Sequence, residues 1–349
     1  MNASHKRGRR GESPMKRKIT AVFLCLSVLL SAFSCSVPDP APKNRVMYDY
    51  FDTVTTFYDY SGSREEDFSN LTARVERELS EYHRLYDIYN EYEGIVNLAT
   101  LNKNAGNGPQ KVDSKIIKIL LFAKEMHTLT NGRVNIAMGA VTKIWHDYRT
   151  EGASVPPMDM LRAAAEHTDI DNLVIDEENL TVELRDYKMR LDVGAIAKGY
   201  AVEMIASALI NDGYSGFVLD VGGNIRTIGE KPSGEGWTCG VKNPNPTDQQ
   251  TYVYKTELKN SAMSTSGVYE RFYTVDGVSY HHIINGDTLM PENNYLSVSI
   301  RADSSALSDA LSTAVFNMHP DEARDFITGL SRVLAVLVMP SGEVVVVGE

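Results

Sequence analysis

Cysteine is scarce in this chain of 349 residues: Cys25, Cys35 and Cys239 are the only three. Two of them fall in the first 35 residues, so Cys239 has no partner in the body of the chain and there is no disulfide framework. The fold must rest on a packed core, which 43% hydrophobic residues at this length can supply. Cys239 alternates with Trp237 and Val241 in a strand-like run, the pattern of a buried apolar site rather than of a nucleophile. The apolar run from 19 to 33 falls short of the roughly 20 residues that a membrane-spanning helix needs. Positive charge is in excess only at the N-terminus. Residues 1–34 carry seven Lys and Arg against one acid, Glu12; with −11 on the whole chain, the remainder carries −17. So acidic a body repels phosphate backbones, which excludes nucleic acid as a partner. No spaced His/Cys/Glu set for zinc and no GxxxxGK[ST] loop is present.

What the N-terminus does have is an export signal. Lys16-Arg17-Lys18 precedes the apolar run, which ends at Leu30-Ser31-Ala32-Phe33-Ser34-Cys35. This is a bacterial lipobox in outline, Phe33 being its one departure, with Cys35 as the lipidated first residue of the mature chain. A plain signal peptide cleaved nearby is the alternative. Met15 is an alternative start that puts the basic residues first. The expected organisation is a signal over 1–34, a lipidated cysteine and tether over 35–47, and one enzyme-sized domain over 48–349. The tether is Pro-rich in its first half (Pro38, Pro40, Pro42) and would stand the body off the membrane. The protein is thus expected outside the cytoplasm, held by lipid to a bacterial membrane.

Beyond residue 47 helices and strands mix without a regular βαβ repeat, and repeats are lacking. The spacing predicts a strand over 51–60, an amphipathic helix over 65–89 (Leu71, Val75, Leu79, Tyr82, Tyr86) and a helix capped by Ser114. Pro156-Pro157 opens a helix to about 167; hairpin-like strands follow at 173–176 and 180–184. A helix over 197–212 stops at Gly213. Strands dominate 216–300, with Asp276-Gly277 as a two-residue hairpin turn. Helices over 306–318 and 320–327 precede a closing hairpin at 332–339 and 344–347. Strands grouped after helices indicate an α+β fold with a largely antiparallel sheet.

Five segments can carry chemistry. Asp192-Val193-Gly194-Ala195-Ile196-Ala197-Lys198-Gly199 places an acid, glycines and a lysine where a helix begins, a place for an anion; an ordinary glycine turn with a surface lysine is the alternative. Asp220-Val221-Gly222-Gly223-Asn224 is either tight backbone beside a ligand or a plain turn. Ser264-Thr265-Ser266-Gly267 offers hydroxyls for phosphate or ribose, or is a polar turn. His281 and His282 point to opposite faces of a strand, so one can enter a site while the other meets solvent; two histidines of a half-exposed strand with no role are the alternative. Asp309 and Thr313 share one helix face, otherwise apolar at Ala306 and Phe316, and form a hard-oxygen pair that suits Mg²⁺; an acid placed near a helix start for the dipole is the alternative.

These five segments, in this order, resemble the FAD:protein FMN transferase family, the ApbE type. The pattern D-x-G-x-x-A-K-G-[YW]-x-x-[DE] looks like Asp192 to Glu203; G-G looks like Gly222-Gly223; S-G-x-Y-x-R looks like Ser266 to Arg271. H-I-I-[DN]-P…P is similar to His282 to Pro291, and D-A-x-[AS]-T-A to Asp309 to Ala314. Upstream, Val134-Asn135-Ile136-Ala137-Met138-Gly139 followed by Trp145 is similar to F-D-x-T-x-G…L-W. The likeness runs from about residue 47 to the C-terminus. Asn135 stands where the pattern has an acid, Gly286 where it has proline, and Thr288-Leu289 where it has T-G.

The resemblance implies that FAD and a protein Thr or Ser hydroxyl give FMN-protein and AMP. Mg²⁺ would be held by Asp309, Thr313 and backbone carbonyls near Ala195 and Ala306. Lys198 would hold a phosphate oxygen, and Asp192 would contact the flavin nucleotide. His282 would orient FAD or take the hydroxyl proton, with Asp192 or Asp220 as the alternative bases. Phe51, Tyr89, Asn102, Val134, Asn135, Gly222, Gly223, Ser266 and Ile283 would line the FAD site. The implied acceptor carries a Thr-containing motif on a membrane electron-transfer subunit. A metal-dependent FAD pyrophosphatase releasing FMN and AMP, and a lipoprotein that binds FAD without chemistry, are the competing readings. No residue points to the thiamine chemistry once attached to the family.

Overall fold

The computed structural model describes Met1 and residues 39–349 apart from 246, 248 and 249. The signal segment, Cys35 and the first residues of the tether lie outside the described residues. The body runs β1 (Lys43–Tyr50), β2 (Thr53–Asp59), α1 (Glu65–Tyr86), α2 (Leu98–Lys103), β3 (Gln110–Lys111), α3 (Ser114–Leu129), α4 (Gly139–Glu151), α5 (Met158–Ala165), β4 (Leu173–Asp176), β5 (Thr181–Leu184) and α6 (Ala197–Asn211). There follow β6 (Phe217–Val221), β7 (Asn224–Ile228), β8 (Trp237–Lys242), β9 (Tyr252–Leu258), β10 (Ala262–Gly267), β11 (Phe272–Val275), β12 (Val278–His281), β13 (Ser297–Ala302), α7 (Ser305–Phe316), α8 (Pro320–Thr328), β14 (Leu334–Val338) and β15 (Val344–Gly348). Among the described residues no helix is long and apolar enough to cross a membrane.

An eight-stranded sheet in the order β1-β2-β6-β7-β10-β13-β14-β15 forms the frame, and each neighbouring pair is antiparallel. The α+β expectation therefore holds. Helix α6 lies over β6 and β7, and α7 over β10 and β13. Alternation along β10 divides its side chains. Ser264 and Ser266 face α7, whereas Met263 turns to the opposite side, where Cys239, Val241 and Leu258 of the β8–β9 hairpin cover the sheet. Cys239 is thus core, and burial pushes its thiol up to about 12. A separate cluster of Val141, Trp145, Leu161, Tyr273 and Leu289 packs α4 and α5 against the β11–β12 hairpin. The site lies where that cluster meets the ends of α6 and α7.

Local chemistry moves several boundaries. The strand expected from residue 51 begins at Thr53, because Phe51 and Asp52 form the β1–β2 turn with φ of 52° each. A bulky residue in the left-handed region is strained, and His83 holds this one: its Nδ1 accepts the Phe51 N–H at 3.1 Å, and the rings meet edge to face. Helix α1 stops at Tyr86 rather than 89, since the Asp87 carboxylate takes the N–H groups of Tyr89 and Asn90 into a turn. Asp113, not Ser114, caps α3, accepting the Lys115 N–H at 2.8 Å. The Asp276-Gly277 turn is as expected, with φ of 48° and 80°.

Candidate functional site

The first chemical segment meets the upstream one in space. Asp192 N–H donates to the Ile136 carbonyl at 2.7 Å, and Asn102 pairs with both N–H and C=O of Leu191. Gly139 lies so close to Arg190 that a Cβ would stand 2.4 Å from its carbonyl oxygen. Asp192 Oδ1 accepts the Gly194 N–H at 2.9 Å, and Oδ2 accepts the Thr142 hydroxyl of α4 at 2.7 Å. The carboxylate therefore fixes the loop that leads into α6 and Lys198.

One turn into α6, the backbone touches α7. A Cβ on Gly199 would lie 2.3 Å from Asp309 Cβ and 2.4 Å from the Ser305 carbonyl oxygen. Glycine at this position lets the two helices approach, and the Gly199 N–H donates to Asp309 Oδ2 at 2.8 Å. Asp309 is buried. Burial raises its pKa, while Lys198, the Gly199 N–H and the Asn224 amide oppose that shift. Four residues on, on the same face of α6, Glu203 Oε2 accepts the Ser305 N–H at 2.6 Å and the Arg226 guanidinium at 3.0 Å. This buried pair ties β7 and α6 to the first turn of α7 and sets the height of Asp309. Thr313 stands beside Ser266, with hydroxyls 3.4 Å apart, and Ser266 bonds Ser312 at 2.8 Å. Ala306 and Phe316 on the Asp309 face pack in the core as expected, while the β10 hydroxyls bond Ser308 and Ser312 on the adjoining face.

Among the described residues no three His, Cys, Asp or Glu side chains converge as a metal set. The donors around Asp309 are one carboxylate, the Thr313 and Ser266 hydroxyls, an amide and backbone; all of the oxygens are hard. That chemistry fits Mg²⁺ and would not suit zinc. Ala195 is half-buried in the loop before α6, and Ala306 is buried in the first turn of α7.

The other side of the site is a rim of cations and aromatics. Burial and the neighbouring Arg271, Lys198, His281 and Arg149 push the His282 imidazole down to about 3. Its Nδ1 donates to the Arg271 carbonyl at 3.3 Å, so the lone pair is on Nε2. His281 does not meet solvent as expected: it is 3% exposed, donates from Nε2 to the Glu292 carbonyl, accepts the Ile283 N–H on Nδ1 and edges the Phe316 ring. Adjacent histidines thus hold opposite tautomers. Arg149 of α4 contacts His146 Nδ1 at 3.1 Å and feels Tyr89, Arg271, Tyr273 and Asp192; burial draws its pKa down. Tyr89, 58% exposed, stacks at a tilt on His146.

Other sequence-predicted residues fall as follows. Gly222 and Gly223, with φ of 58° and 86°, make the β6–β7 turn, and Gly222 presses on Thr53 beside the Phe51–Asp52 turn. The Asp220 carboxylate accepts the Gly223 N–H, and burial raises its pKa. Val134 and Ile283 place their side chains in the main core, which leaves only their backbone for a ligand. Asn135 donates to the Thr168 carbonyl and accepts the Ala137 N–H, at the edge of a cavity of about 280 Å³ with Lys124 and His127. Neither that cavity nor a second of about 450 Å³ at Arg77, Arg84 and Lys111 contains Lys198, His282 or Asp309. The sequence does not mark Arg226, His146, Arg149 or Tyr273 as site residues. Their partners lie far away in the chain, and only Arg149, four residues beyond Trp145 on α4, had a local cue.

The model of the ApbE family matches residues 51–338. The FAD:protein FMN transferase of Treponema pallidum is 33% identical over 261 residues, covering 71% of this chain and 72% of that protein. The enzyme of that name from Klebsiella pneumoniae is 29% identical over 249 residues, covering 71% and 75%. The crystal structure of the ApbE protein from Thermotoga maritima superposes with a TM-score of 0.78 at 26% identity, over 88% of this chain and 97% of that one. The flavin transferase ApbE from Vibrio cholerae gives 0.74 at 22% identity, over 88% and 98%, and shares the fold. The chain belongs to the ApbE family.

Proposed function

We propose that this protein is a Mg²⁺-dependent FAD:protein FMN transferase. The observation that carries the reading is that Lys198 stands between a buried carboxylate, Asp309, whose N–H partner is Gly199, and a neutral His282 flanked by Arg271 and Arg149. Two of the relatives bear that enzyme name. An acceptor Thr or Ser oxygen attacks the flavin-side phosphorus of FAD, the bond to the bridging oxygen breaks, and AMP leaves. The hydroxyl proton passes to Nε2 of His282. Such transfers depend on positioning and charge neutralisation more than on covalent catalysis.

Mg²⁺, held by Asp309, Thr313 and the carbonyls of Ala195 and Ala306, would neutralise charge on the pyrophosphate. Lys198 holds a phosphate oxygen from the start of α6. Asp192 orients the loop and contacts the nucleotide. Phe51, Tyr89, Asn102, Val134, Asn135, Gly222, Gly223, Ser266 and Ile283 complete the FAD site. Held down to about 3 by burial and its cationic neighbours, His282 by itself is a weak base. The negative charges of bound FAD oppose the cations that depress it and raise its pKa toward a useful range. We further propose that Cys35 is lipidated and that the body works on the extracytoplasmic face of a bacterial membrane. Anchoring there raises its effective concentration toward a membrane-bound electron-transfer acceptor.

The test is to incubate the protein with FAD, with and without Mg²⁺ and a Thr-bearing acceptor, and to follow AMP and acceptor mass. Acceptor that gains the mass of FMN only with Mg²⁺ supports the transferase, and Asp309→Ala should then lower the rate by at least about 1,000-fold. AMP released with acceptor unmodified identifies a pyrophosphatase. FAD bound but intact under every condition overturns both.

A further inference from the structure

Asn224, the last residue of the Asp220-Val221-Gly222-Gly223-Asn224 segment, has no place in the chemistry above. It opens β7 and is 3% exposed. Its amide lies near enough to Asp309 to draw that carboxylate's pKa down, and its nitrogen donates to the Val221 carbonyl at a long 3.5 Å. Its Oδ1 is buried and has no hydrogen-bond partner among the described residues. A buried amide oxygen without a donor forfeits the hydrogen bonds it makes in water, and folded proteins rarely leave one so. An apolar side chain of the same shape would avoid that loss.

Asp309 is a buried carboxylate whose near donors, the Gly199 N–H and the Asn224 amide, leave further lone pairs open. An unpartnered hard oxygen next to a buried carboxylate is what a divalent cation and its bound water take up. We propose that Asn224 is part of the divalent-cation site, orienting Asp309 through its N–H and offering Oδ1 to the ion or to a water bound on it. The inference rests on the reading of Asp309 as a metal ligand.

The test is Mn²⁺ binding by the full-length chain, read by electron paramagnetic resonance of the free ion and by Mg²⁺ competition, without FAD or acceptor. Asn224→Ala should weaken binding at least about tenfold, the cost of losing a supporting partner of a ligand. Asn224→Asp, which keeps the oxygen and adds charge, should bind more tightly than wild type. Asp309→Ala should bind no ion at this site. Wild-type affinity in Asn224→Ala, with binding lost in Asp309→Ala, overturns the role of Asn224 and leaves the cation site standing. Unchanged binding in both overturns the cation site itself. Unfolding measured in chelator shows whether Asn224→Ala is folded. Should it not be, Asn224→Asp decides: tighter binding supports the assignment, and equal or weaker binding overturns it.

Discussion

The α6–α7 junction and the rim around His282 treat charge in opposite ways. At the junction the carboxylates are enclosed and answered: Glu203 by Arg226 and the Ser305 N–H, Asp309 by the Gly199 N–H. At the rim Lys198, Arg149 and Arg271 gather beside a neutral imidazole, and among the described residues none of them sits in an ion pair with a carboxylate. The first arrangement fixes one carboxylate at one height, the preorganisation that phosphoryl transfer needs. The second stores unmatched positive charge, which an anionic substrate neutralises. The site thus pairs a rigid half with an electrostatically hungry half.

The largest effect should come from breaking the rigid half. Gly199→Ala sets a methyl 2.3 Å from Asp309 Cβ, so the helices must part; overpacking of this kind costs about 1–3 kcal/mol. Thermal unfolding should fall accordingly, and AMP release should drop about 100-fold because a carboxylate displaced by an ångström no longer positions the ion. A Gly199→Ala variant with normal activity would mean that the close helix contact is incidental.

The rim should yield a smaller and salt-sensitive loss. Arg149→Gln removes a charged donor, worth about tenfold in kcat/KM for FAD. The loss should shrink at high ionic strength, where screening weakens the wild-type attraction. An equal loss at all salt concentrations would assign Arg149 to packing against His146 and Tyr273.

The smallest effect is on acid stability. His281 and His282 are both held below the ordinary value of 6.5, His282 to about 3. The unfolded chain therefore binds more protons in that interval, and stability falls as pH drops from about 6.5 toward 3. His282→Gln should flatten part of that fall in a Tm-versus-pH series, whereas Arg149→Gln should steepen nothing, since it removes one cause of the depression. Bound FAD should flatten the same interval by raising the imidazole pKa.

Local signals were legible in the sequence and distant ones were not. The Asp276-Gly277 turn, the Gly213 stop and the shared face of Asp309 and Thr313 are matters of spacing within a few residues, and each stands where the spacing puts it. Phe51 and Asp52 have the composition of a strand; the turn they make is held by His83, 32 residues away from Phe51. Tyr89 continues the apolar stripe of α1 in the sequence, but the Asp87 carboxylate ends the helix three residues earlier, at Tyr86. The five segments supply Asp192, Lys198, His282 and Asp309, which the structure gathers around the start of α6. Arg226 and Arg149 matter through Glu203 and Arg271, 23 and more residues distant, and no periodicity announces such pairs.

The account's central claim is that the two halves serve one ligand. A crystal structure of the protein with FAD and Mg²⁺ tests this most directly. The account predicts the pyrophosphate lying between Lys198 and His282, with the ion on Asp309 and Thr313 and the isoalloxazine near Tyr89. FAD seated elsewhere, such as in the Arg77–Arg84–Lys111 cavity, or an ion held without Asp309, would contradict it.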